Sequence, residues 1–102
     1  MYLIQLLLPV RNNSDVAFPR RLFDRIRQEL TQKFGGVTAF LRSPAEGFWR
    51  EEKGQVNRDE IVIFEVMADQ LDRQWWRQYR SELEQRFSQA ELVIRASLSE
   101  RL

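Results

Sequence analysis

Two stretches of this chain carry the same helical stripe, and that repeat constrains the fold more than any other feature. Leu22, Phe23, Ile26, Leu30 and Phe34 have the same spacing as Trp75, Trp76, Tyr79, Leu83 and Phe87. At about 100° per residue each set covers an arc of roughly 120°, the width of a face that must be buried. Pro19 suits a first helical turn and Gly35 a C-terminal stop. In the second stretch Asp72 is placed to cap the helix, with Leu71 before it and Trp76 four residues on as a hydrophobic staple. A strand-like run precedes each helix: "YLIQLLLPV" before the first and "DEIVIFEVMAD" before the second. Another follows each, "VTAFLR" (37–42) and then "ELVIRAS".

The resulting order, β-α-β-β-α-β, is two split β-α-β halves. The expectation is an α+β, ferredoxin-like single domain over residues 1–102, with a four-stranded antiparallel sheet in the order 4-1-3-2. Both helices lie on one face, and a long hairpin joins the second and third strands. At 102 residues the chain suffices for one core. The loop over residues 9–18 is longer than its counterpart after the third strand, and such length often carries function.

Alternation along strands assigns the two faces of the sheet. Tyr2, Ile4, Leu6 and Leu8, then Val37, Ala39 and Leu41, Val62, Phe64 and Val66, and Leu92, Ile94 and Ala96 should meet the helices. The other face holds Leu3, Gln5, Leu7, Thr38, Phe40, Arg42, Ile61, Ile63, Glu65, Met67, Val93 and Arg95. A solvated face normally shows polar residues. Here Leu3, Leu7, Phe40, Ile61, Ile63, Met67 and Val93 form an apolar patch that calls for a cover. A second copy about a twofold axis is the simplest one, so a homodimer is expected. Gln5, Glu65 and Arg95 interrupt the patch as one polar row. It is open to two readings: an ion pair that sets the dimer register, or a pocket for a small ligand with Arg95 on an anion and Glu65 as donor or base.

Composition narrows the chemistry. Apolar residues make up 43% and charged residues 30%, with a net charge of +1, far from the basic excess of a duplex-binding domain. The chain has neither cysteine nor histidine. Thiolate ligands, cysteine nucleophiles and the commonest general base near neutral pH are thereby excluded. No metal or other cofactor is implied and no catalytic residue is assigned. The apolar opening is too short to span a membrane and lacks the marks of a signal peptide, so a cytoplasmic location with no membrane partner is expected. RNA recognition motifs share the fold plan, but their stacking aromatics belong on the open face, where Phe64 does not lie; nucleic acid is not expected. An acylphosphatase-like cradle would want glycine in "PVRNNSDVAFPR", which has none. Trp75 and Trp76 fall on the core arc, and the arginines of the first helix read as solvated surface.

"SPAEGFWREEKGQVNRDE" (43–60) reads as the outer hairpin, "FWRE" pairing with "QVNR" across an "EKG" tip. Such an arm needs support, and Phe48 and Trp49 are the candidates to supply it, on this domain or a neighbouring subunit. "FGGVTAF", "GFW" and "IVIFEV" together resemble a family of small uncharacterised bacterial domains and, more widely, the dimeric α+β barrel group. That resemblance implies face-to-face sheets in a dimer and brings no established activity. Three functions stay open: a dimeric ligand-binding domain, a cofactor-independent small-molecule enzyme using Glu65 and Arg95, and a protein-interaction adaptor using the hairpin.

Overall fold

The computed structural model describes residues 1–40, 45–50 and 56–102, and the side chains of these except at 45–50 and 56–60. In chain order the elements are β1 (Tyr2–Pro9), α1 (Arg20–Phe34), β2 (Thr38–Ala39), β3 (Ala45–Arg50), β4 (Val56–Ala68), α2 (Arg73–Arg86) and β5 (Val93–Leu98). β4 pairs antiparallel with β1 on one side and with β2 and β3 on the other, and β5 pairs antiparallel with the free edge of β1. The sheet therefore runs β2-β4-β1-β5, the expected order read in the opposite direction. β1 and β2 run parallel with β4 between them, and β4 and β5 run parallel with β1 between them. A helix joins each pair, which makes two interleaved split β-α-β units.

Of the strand expected over 37–42, Thr38–Ala39 is β2, and Leu41 and Arg42 lie outside the described residues. The chain pairs with β4 again as β3, in a shifted register. From Ala39 to Ala45 the chain advances six residues, yet the partners move only three, from Phe64 to Ile61. The register of β3 on β4 is thus offset by three residues from that of β2, and alternation counted from β2 does not carry over to β3. The ladder continues one residue past β2, where the Phe40 N–H donates to the Ile63 carbonyl at 2.9 Å. Further out, Phe48 pairs with Arg58, Trp49 with Asn57 and Arg50 with Val56, the expected hairpin register. The "EKG" tip, Leu41 and Arg42 lie outside the described residues, as do the side chains of Phe48 and Trp49.

Burial alternates along β1, with Ile4, Leu6 and Leu8 inside. Val62, Phe64 and Val66 of β4 and Leu92 just before β5 join them, together with Phe23, Ile26, Leu30, Trp76, Tyr79, Leu83 and Phe87 from the helices. Both helical stripes thus close on one face of the sheet. Burying each large aliphatic or aromatic side chain contributes about 1.5–3 kcal/mol. Aromatic rings bind the two helices: Phe23 meets Phe87 edge-on at 5.6 Å, and Phe34 stacks on Trp76 at 5.3 Å.

The helix ends follow local chemistry. Gly35 takes φ 82° and its N–H reaches Thr31, the left-handed stop that glycine permits. Asp72 accepts a hydrogen bond from the Trp75 N–H at 3.1 Å, the expected cap. Pro19 stands one position outside α1 in extended conformation rather than within its first turn. Ala96, expected in the core, is exposed, because β5 is an edge strand and α2 does not cover this part of it. Among the described residues no helix is long and apolar enough to cross a membrane.

Candidate functional site on the open sheet face

Antiparallel register turns residues distant in sequence into rows across the sheet. Thr38 lies opposite Glu65, Glu65 opposite Gln5, and Gln5 opposite Arg95, one polar row over all four positions of the sheet. Two residues along, Ile63, Leu7 and Val93 form an apolar row that Phe40 extends. On the other side Leu3 pairs with Met67. The polar row is therefore flanked on both sides by apolar surface. Phe40, Met67 and Val93 are 44%, 55% and 50% exposed, while Leu3, Leu7, Ile61 and Ile63 are half-buried by their neighbours.

Within the row the hydrogen bonds have one direction. Arg95 Nε donates to Gln5 Oε1 at 2.8 Å, and Gln5 Nε2 donates to Glu65 Oε1 at 2.7 Å. The amide thus turns its oxygen to the cation and its nitrogen to the carboxylate. Arg95 and Glu65 sit two strands apart, roughly 9–10 Å at the usual strand spacing, so they do not close on each other. Arg95 uses only its Nε, and its two terminal nitrogens have no partner among the described residues. Glu65 Oε2 is likewise unengaged there. A planar guanidinium with its outer fork open is the group that takes a carboxylate bidentately.

Other conspicuous residues serve the fold. In the long loop, Asn12 Oδ1 accepts from the Ser14 and Val16 N–H groups, and Arg11 and Ala17 bridge, so this segment is a folded turn. Trp75 and Trp76 pack as expected, Trp76 buried and Trp75 half-buried, with Lys33 5.0 Å above the Trp75 ring. The spacing of charges on the helices did not disclose a clasp between them. Arg86 Nη1 and Nη2 donate to the two oxygens of Glu29 at 2.5 and 2.8 Å, and Nη2 also reaches Glu82 at 2.6 Å. The Tyr79 hydroxyl donates to Glu29 Oε1 at 3.0 Å. The Arg86 hydrogen bond holds the Glu29 carboxyl below its ordinary value against the opposing effect of burial, with Tyr79 adding to the lowering. Burial, then the charge and hydrogen bond of Glu29, push the Tyr79 phenol well above its ordinary range. A tyrosine inside an apolar stripe was the available signal, since a buried hydroxyl needs a partner.

Comparison with known proteins adds a fold relative. No family model matches the chain, and no curated protein matches it, so the small bacterial family suggested by "FGGVTAF" and "GFW" gains no support. Among solved structures, a phage SAM lyase in complex with S-methyl-5'-thioadenosine superposes with a TM-score of 0.59 at 11% identity. The match covers 94% of this chain and 79% of that one. At that identity the likeness is one of fold.

Proposed function

We propose that this chain is a small-ligand-binding domain that self-associates through its open sheet face, with the Glu65–Gln5–Arg95 row as its ligand contact. The observation that carries the reading is the half-used row: Arg95 and Glu65 each keep open hydrogen-bonding capacity between two apolar bands. The ligand that fits places a carboxylate or similar acceptor on Arg95 and a cationic or donor group toward Glu65. The fold relative's complex with a small nucleoside supports a small-molecule role for this architecture.

A second copy is the cover that the row's polarity favours. The row runs from negative to positive across the sheet, so a copy turned about an axis parallel to β1 places Glu65 across from the partner's Arg95, with the ligand held between them. Turning about the row itself would set like charges together, which is unfavourable. Sedimentation or light scattering at micromolar concentration should give a dimer for the wild type and a monomer for Ile63→Glu. A monomeric wild type sinks the covered-face reading. Glu65→Gln should weaken association, and tightening would mean that Glu65 faces its own copy.

SAM and S-methyl-5'-thioadenosine are the first ligand probes. Calorimetric titration should show binding that Arg95→Ala abolishes without loss of fold, and no heat from either at millimolar concentration counts against the site. A cofactor-independent enzyme is the second reading, favoured by the fold relative's being a lyase. Glu65 would then accept a proton and Arg95 would steady developing negative charge. Product release from SAM that Glu65→Gln abolishes, with binding retained, is its signature.

A further inference from the structure

The two halves of α2 treat their arginines differently. Near its C-terminus Arg86 is held by Glu29 and Glu82, but Arg73, Arg77 and Arg80 have no ion-pair or hydrogen-bond partner among the described residues. With 3.6 residues per turn these three fall within an arc of about 60° along one side of the helix. That side borders a cleft of about 180 Å³ between α2 and the edge strand β5, floored by Ile4, Trp76 and Ile94. Ala96, small and exposed, lines it from β5. Asp72, beside Arg73 in sequence, is spent on the helix cap. Arg95 belongs to the lining only as a residue of β5, since its side chain lies on the opposite face of the sheet with Nε on Gln5.

We propose that the α2–β5 cleft is a second binding site, one for a small organic phosphate, held by Arg73, Arg77 and Arg80 with its apolar body on Trp76 and Ile94. Three guanidinium groups with no counter-ion among the described residues match the charge and the acceptor oxygens of a phosphate monoester. At about 180 Å³ the cleft is smaller than the roughly 300–1,000 Å³ of sites for drug-sized ligands, which suits a small ligand. The apolar floor beside the charged rim favours a ligand with an organic portion. These residues stand apart from the self-association argument, so either proposal can fail alone.

Phenyl phosphate, inorganic phosphate and benzoate serve as probes in amide NMR titrations of the full chain at low salt. Phenyl phosphate should shift amides of residues 71–80 and 94–96 and bind at least fivefold tighter than the other two. Arg77→Gln and Arg80→Gln should each weaken it at least tenfold, as expected for loss of a charged hydrogen bond. Arg20→Gln, at an arginine of α1 that has no partner among the described residues, should leave it unchanged. All three side chains are exposed, so the variants retain the fold, which the spectra themselves report. Equal binding of phenyl phosphate and inorganic phosphate, shifts centred elsewhere, or an equal loss in Arg20→Gln would overturn the assignment. So would tighter binding of a single-stranded oligonucleotide at the same amides.

Discussion

Replacing Glu29 by alanine removes the hub that ties α1 to α2, and the structure sets the scale of the loss. Two charged hydrogen bonds from Arg86 and one from Tyr79 converge on this carboxylate. The Arg86 side chain is 10% exposed and that of Glu29 32%, which places the pair between two regimes. Exposed pairs contribute about 0–1 kcal/mol. Breaking a buried pair costs about 3–5 kcal/mol. Glu82 remains to partner Arg86, so the loss falls below the buried extreme, while Tyr79 loses its acceptor at a cost of about 1 kcal/mol. The expected destabilisation is about 2–3 kcal/mol. Since about 1 kcal/mol moves Tm by roughly 4–8 °C in domains of up to 100 residues, Tm should fall by about 10–20 °C. Urea unfolding at fixed protein concentration should show a lower midpoint with an unchanged slope. Glu29→Gln, which can still accept from Tyr79, should lose about half as much. The pH dependence has a definite sign. A carboxyl whose folded value is depressed stabilises above its ordinary value of 4.5, and that stability is lost as pH falls through the lower folded value. The gap between wild type and Glu29→Gln should therefore close in that acid window. A loss under about 0.5 kcal/mol for Glu29→Ala, the level of an ordinary surface change, would refute the clasp.

Tyr79 gives the alkaline counterpart: its raised folded value means that stability falls as pH rises past 10.0, and phenolate absorbance for this residue should appear only with unfolding. Leu83→Ala, at a fully buried position, should cost about 2–5 kcal/mol in chemical denaturation. Gly35→Ala meets no atom within 4 Å, so its cost of about 1–2 kcal/mol is one of left-handed backbone alone, and Gly35→Asn should recover part of it. Asp72→Ala removes the α2 cap and should cost about 1 kcal/mol, with hydrogen exchange rising first at Trp75.

Much of the candidate site was legible because strand alternation and helix periodicity are local properties of the chain. Leu3, Gln5 and Leu7 had to share a face once residues 2–8 were a strand. Given the topology, Glu65 and Arg95 had to flank Gln5. The Glu29–Arg86 clasp was not legible, because nothing local tells which of many helix arginines will meet an acid on the other helix. Nor was the three-residue register offset between β2 and β3, since it leaves the composition of a strand unchanged.

The sequence by itself determined where both helices and the strands β1, β4 and β5 run and which face of each helix and of β1 and β4 seeks burial, because those follow from spacing within a dozen residues. It also excluded cysteine and histidine chemistry outright. Tertiary structure alone decided how the polar row is wired, with Gln5 between charges that do not touch, and that α2 leaves a cationic cleft open over Ala96. Both depend on the register and distance between segments far apart in the chain, which side-chain volume and packing set only once the whole core has closed.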